Sequence, residues 1–259
     1  MQDKASFILH SIIKNYLQGL NPVGSGLLEE DLKVPASTIR VYFKKLDDAG
    51  LVSKLHISGG RVPTIKAMQA YWQELLGELA TLKVDLSDFE QLKDLVLKLG
   101  LCSIVFEQKD LHLKDVHELN RRFIVLEMEE DELAIAFLPE LFTLLEQLVG
   151  LDLRDIRVFA HRLGIKELAK KIDDFLDSLV LFYEGEAQAL ELFSSMKRYF
   201  RLNDSLDLGL SFAGEDLRLK LGGNYEGKDA CAVFAGSIYS DFYQLAQSLD
   251  KKKDDSENR

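Results

Sequence analysis

The residues best suited to chemistry in this chain cluster near its N-terminus. Ser37, Thr38, Arg40, Val41, Lys44 and Lys45 fall within one predicted helix. At 100° per residue, Ile39, Phe43 and Leu46 share one face, while Ser37, Val41 and Lys44 share the opposite one, flanked by Thr38, Arg40 and Lys45. Hydroxyl, guanidinium and ammonium groups on one face can meet base edges and phosphates: arginine pairs bidentately with guanine, and lysine neutralises phosphate. A second cationic group follows. Arg61 stands beside Gly59-Gly60, with Lys54 and His56 close by, and is expected to project from a hairpin tip towards backbone phosphate or a minor groove. Ser25 is the expected cap of a short preceding helix and a further candidate DNA contact. A solvated polar helix face has the same composition, and Gly59-Gly60 also fits plain hairpin geometry with positive φ.

Other constellations read as decoys. Gly222 to Asp229 fits GxxxxGK, but a phosphate loop needs Ser or Thr next and then a helix. Here Asp229 follows, and Ala230 to Phe234 reads as a strand, so the glycines are expected to join two strands. Glu129 to Glu132 lacks the alternating ligand spacing of a calcium loop and reads as a solvated turn. His112 and His117 lie five apart, which is not a metal-binding helical pair, and His161 reads as an exposed polar residue. Cys102 and Cys231 belong to no CxxC pattern and read as small buried side chains. Trp72 is expected to pack at a domain junction. These readings leave no catalytic set, metal site or cofactor site, and the expectation is a non-enzyme.

The elements that must position the N-terminal residues follow from periodicity and punctuation. Residues 3–18 form an amphipathic helix ended by Gly19, and Ser25 to Leu32 form a second. Pro35 opens a third, which stops at Gly50. Leu51 to Leu55 and the stretch from Val62 read as two short strands around the glycine tip, and a helix runs from Pro63-Thr64 to about Leu82. Three helices and a hairpin make a winged helix-turn-helix. Beyond it, Asp85 to Leu99 reads as a helix. Cys102 to Glu107, Phe123 to Glu127 and Leu133 to Phe137 read as strands, and residues 139–150 and 155–200 as mainly helical. Leu206 to Phe212, Leu217 to Leu221 and Ala232 to Ile238 read as strands, and Ser240 to Leu249 as a short helix. The tail 251–259 has no apolar residue and is expected to be disordered.

Composition narrows the class. The chain has 259 residues, of which 47% are hydrophobic and 29% charged, as in ordinary globular proteins. No apolar run of membrane-spanning length and no leader pattern is seen, which points to the cytoplasm. Net charge is −11, yet residues 1–75 sum to +2 and the remainder to −13. A mildly basic head on an acidic body is the pattern expected when only the head meets DNA.

Four motifs carry a family resemblance. Asn21-Pro22-Val23-Gly24-Ser25, Ser37-Thr38-Ile39-Arg40, Leu46-Asp47-Asp48-Ala49-Gly50-Leu51 and His56 to Thr64 resemble the "PVGS", "ATIR", "LE..GL" and "HTSAGRIPT" stretches of the heat-inducible transcription repressor HrcA family. The order and spacing agree over residues 7–72. Val41 stands where the family has Asn, Gly26 where it has Lys, Ile57 where it has Thr, and Gly59 where it has Ala. Later, Leu217 to Gly222 and Cys231 resemble "VRIG…CS", but "GPTRM" is absent. The resemblance implies an α+β protein: a winged helix-turn-helix with its linker helix (1–82), then a GAF-like domain (83–250) carrying an inserted, mainly helical dimerisation segment at about 120–203. It also implies a homodimer, double-stranded DNA with an inverted-repeat operator of the CIRCE type as target, repression of heat-shock chaperone operons relieved by heat, and assistance by the chaperonin GroEL. The alternatives are a winged-helix regulator gated by a small effector in the GAF-like domain, an enzyme built on the glycine loop, and a winged helix used for protein contact.

Overall fold

A computed structural model describes residues 4–54, 59–77 and 83–250. The N-terminal unit holds helices α1 (Lys4–Gly19), α2 (Ser25–Leu32) and α3 (Ala36–Asp48), and a two-stranded antiparallel ribbon of β1 (Val52–Lys54) and β2 (Arg61–Pro63). The periodicity of α3 dictates its packing. Ile39, Phe43 and Leu46 join Ile8 and Ile12 of α1, Leu28 of α2, Val23 and Val52 in one core. Burying each such side chain is worth about 2 kcal/mol. The Glu29 carboxylate accepts from the Ala36 amide (3.2 Å) and so closes the α2–α3 turn while placing negative charge at the start of α3. Thr64 caps the next helix, α4 (Ile65–Leu76), accepting from the Ala67 amide, and its hydroxyl donates to the Gly50 carbonyl.

Past α4 come β3 (Val84–Asp85), α5 (Phe89–Leu99) and β4 (Cys102–Glu107); after an inserted unit, β8 (Val180–Glu184), α9 (Glu186–Phe193), α10 (Met196–Phe200), α11 (Leu202–Ser205), β9 (Gly209–Ala213), β10 (Asp216–Tyr225), β11 (Lys228–Ser237) and α12 (Phe242–Asp250). The main sheet runs β3-β10-β11-β4-β8, with β9 alongside β10. The strand β11 is buried on both faces and reads as a continuous small-apolar run, as central strands do. One face packs on α4, α5 and α12; the other packs on α9 to α11 through Phe193, Tyr199 and Leu202.

The inserted unit contains β5 (Asp115–Leu119), β6 (Phe123–Glu127) and β7 (Glu132–Ala136) as an antiparallel sheet in that order, then α6 (Pro139–Glu146), α7 (Leu153–Leu163) and α8 (Lys166–Ser178). Its own core runs from Leu111 to Leu179. The bounds expected at about 120–203 are thus corrected: the unit begins earlier, carries a three-stranded sheet beside its helices, and ends where β8 pairs with β4. Residues 180–184 form β8 of the main sheet, and the helices at 186–205 pack on its face. Asp85 to Leu99 is likewise not one helix, because Val84 and Asp85 pair with Gly223 and Asn224 and Asp88 caps a later start.

Trp72 does lie where the N-terminal unit meets the body. Its indole N–H donates to the Ile238 carbonyl at 2.7 Å, and its ring meets Phe242 edge-on. The segments 55–58 and 78–82 and the tail 251–259 lie outside the described residues, and with them His56 and the end of the expected linker helix. Among the described residues no helix is long and apolar enough to cross a membrane.

Candidate nucleic-acid interface

The outer face of α3 is open. Ser37, Thr38, Arg40, Val41, Lys44 and Lys45 are all exposed, Val41 at 56%. Nothing in the N-terminal core needs Val41 on that side, so an exposed isopropyl group sits among polar neighbours. Lys45 leans back, its ammonium 5.1 Å from the Tyr42 ring centre, whereas Arg40 turns towards α2.

Arg40 Nε donates to Ser25 Oγ at 3.1 Å. This corrects the reading of Ser25 as a cap. Gly24 holds the cap position with extended backbone, and its carbonyl accepts from the Leu28 amide; no side chain accepts from the first turn of α2. Ser25 is the first helical residue, and its hydroxyl orients Arg40.

Arg61 is also corrected. It does not project from a tip: it is 9% exposed, and its guanidinium carbon lies 5.1 Å from the Phe43 ring centre. Period-two alternation is the cause. In β2 residues 61 and 63 face inward and Val62 outward, and the Arg61 backbone pairs with Val23 at 2.8 and 2.9 Å. Its Nη1 donates to the Gly59 carbonyl at 3.4 Å, while its Nε is buried without a hydrogen-bond partner.

These turns bring Ser25, Arg40, Lys54 and Arg61 together around one concavity of about 450 Å³, with Gly24, Gly26, Gly59 and Gly60 forming much of the rest of its wall. Lys54 also lies 3.7 Å from Asp47. Ser37, Thr38, Val41, Lys44 and Lys45 lie outside the pocket, on the adjoining helix face. The pocket combines three cations with the uncapped N-terminal amides of α2. Helix N-termini attract anions through free N–H groups and the helix dipole, so the arrangement suits one tetrahedral oxyanion. Sequence reasoning missed the contribution of Gly24 and Gly26; the signal was the glycine pair bracketing Ser25. Gly60 is there for closeness: a β-carbon on it would lie 2.6 Å from the Pro22 and Val23 carbonyl carbons.

The other candidate groups are structurally engaged. Gly222 and Gly223 lie within β10, and the turn to β11 is at Glu226-Gly227. A β-carbon on Gly223 would lie 2.4 Å from the Val84 carbonyl, so the glycine admits β3 to the sheet. His112 pairs with Asp110, His117 with Glu127 and Asp131 with Lys109. Cys102 is buried beside the Ala235 carbonyl, and burial pushes its thiol up to about 12. Cys231 donates to Asn203 Oδ1.

A family model described as the HrcA C-terminal domain matches residues 72–253. The chain belongs to the HrcA family. A heat-inducible transcription repressor HrcA of Helicobacter pylori (strain ATCC 700392 / 26695) is 32% identical over 173 residues, covering 66% of this chain and 64% of that protein. The chain therefore aligns with less than two thirds of that relative. The protein of the same name from Chlamydia trachomatis serovar D is 46% identical over 70 residues, covering 26% of this chain and 18% of the relative. The Tetragenococcus halophilus one is 37% identical over 98 residues, covering 34% and 28%. A crystal structure of a hypothetical protein at 2.2 Å resolution superposes with a TM-score of 0.50 at 16% identity, covering 97% of this chain and 98% of that one, a likeness of fold.

Proposed function

We propose that the chain is a DNA-binding transcriptional repressor of heat-shock chaperone operons. Its N-terminal unit acts as a winged helix-turn-helix, with α3 as the recognition helix and β1–β2 as the wing, and its body is GAF-like. The observation that carries the reading is the pocket where Arg40, Lys54 and Arg61 meet the N-terminus of α2, beside the exposed face of α3. A backbone phosphate seated there fixes the register of α3 in the major groove. Ser37, Thr38 and Val41 then face base edges, with Val41 offering apolar contact to a thymine methyl, and Lys44 neutralises a phosphate further along. The relatives' name, heat-inducible transcription repressor, supports the same reading.

A homodimer places two such heads on an inverted repeat of the CIRCE type, and bivalency raises affinity through effective concentration. Repression works by promoter occlusion. Heat relieves it, and the chaperonin GroEL restores binding. No catalytic step is involved, and the protein acts in the cytoplasm.

Gel-shift titration tests this directly. A chaperone promoter fragment carrying the inverted repeat should shift at far lower protein concentration than a scrambled fragment, and chaperonin should lower that concentration further. Equal shifts on both fragments would remove the sequence-specific repressor.

A further inference from the structure

A second concavity, of about 510 Å³, opens where the inserted unit meets the main sheet. Five arginines line it: Arg154 and Arg157 of α7, Arg198 and Arg201 at α10, and Arg218 of β10. Phe193 contributes an apolar wall. The chain as a whole carries −11, yet five guanidinium groups line this pocket against two carboxylates, Asp155 and Asp204.

Three of the five are engaged. Arg154 and Arg157 both reach Asp204, and Arg201 reaches Asp173 and Asp177. Arg198 and Arg218 make no ion pair among the described residues. Arg218 lies over Phe193, its guanidinium carbon 5.2 Å from the ring centre. Its Nε is buried without a hydrogen-bond partner, and so is that of Arg201. A buried unpaired N–H is costly, and an incoming acceptor removes that cost. The unpaired donors come from two elements, α10 and β10. A single planar carboxylate is saturated by one or two guanidinium forks, whereas linked tetrahedral phosphates present acceptors on every side.

We propose that this pocket binds a small, multiply charged phosphate anion, such as a pyrophosphate or triphosphate group. The ligand bridges α7 of the inserted unit to α10 and β10 of the main body. By linkage it stabilises that junction. The site is separate from the N-terminal concavity and does not rest on the DNA-binding reading.

The test is calorimetric titration of the full chain with sodium triphosphate, at constant ionic strength and without divalent cations. The N-terminal pocket also suits an oxyanion, so the titration is repeated in Arg40→Ala. Expected is one saturable site per chain that persists in Arg40→Ala. Affinity should fall by about tenfold or more in Arg198→Gln, and likewise in Arg218→Lys, which keeps the charge but loses the fork. Arg198 is exposed, so its variant tests the site without disturbing a buried position. Absent binding, binding lost in Arg40→Ala, or binding unchanged in both pocket variants overturns the proposal. Citrate binding as tight as triphosphate overturns the phosphate assignment.

Discussion

Arg40 is the residue on which the seating of α3 turns, because Ser25 holds it towards the N-terminal pocket beside the exposed face of that helix. Arg40→Ala should cost about 1–3 kcal/mol on the cognate site while leaving thermal stability unchanged. Measured by fluorescence anisotropy, the loss should be of similar size on scrambled DNA, as for a phosphate contact, and unchanged binding to both fragments would remove Arg40 from the interface. Cys102 gives a contrasting prediction. With its thiol pushed up to about 12 by burial, it should stay unreactive towards disulfide reagents in the native protein and react once denatured. Rapid native labelling of Cys102 would contradict its placement. At this scale the helix faces were legible in the sequence, since 100° spacing alone separates Ile39 and Phe43 from Ser37 and Lys44. The inward turn of Arg61 was not. In a three-residue strand the face is set by register, here by the pairing of Arg61 with Lys54 and Val23.

The ribbon of β1 and β2 can sit against the turn before α2 only because Gly60 lacks a β-carbon. Gly60→Ala places that atom against the Pro22 and Val23 backbone, so the ribbon must shift. Overpacking of this kind costs about 1–3 kcal/mol, and the N-terminal concavity should open with it. Urea melting should show the loss in stability, together with weakened DNA binding; an unchanged midpoint would contradict the close approach. Strong helices and central strands were legible: α2 and β4 fall where periodicity put them. Two strands were not. β8 is the apolar run Val180 to Tyr183 followed by Glu184, which between helices reads as more helix; it is a strand because the edge of β4 is there to pair with it. In β5 only Val116 is buried, so no alternation was visible. Missing β8 displaced the end of the inserted unit into β8 and the helices that pack on the main sheet.

Across the whole molecule, Asp173 joins the inserted unit to the body. Its carboxylate on α8 meets Lys197 and Arg201 at α10, and also Arg157 and His161 of α7. Burial pushes its pKa up, but hydrogen bonds from Lys197 and Arg201 and their charges outweigh this and hold it below the usual carboxylate range. A folded-state pKa below the unfolded one means stability is present above the unfolded value and lost as pH falls through the folded value. The melting temperature should therefore drop below about pH 4. Asp173→Asn should abolish much of that dependence and cost about 1–3 kcal/mol at neutral pH, because Arg157 and Arg201 then keep, among the described residues, only Asp204 and Asp177 as charged partners. An unaltered acid limb in the variant would contradict the assignment. The acidic body and mildly basic head were plain in the sequence, but the contacts joining distant segments depend on tertiary placement. Hydroxyl-radical footprinting of the full chain on a chaperone promoter tests most directly whether two heads occupy one operator. Two protected patches are expected, related by the symmetry of the inverted repeat and spaced by about one or more helical turns. A single patch, or uniform protection of promoter and scrambled DNA alike, would contradict it.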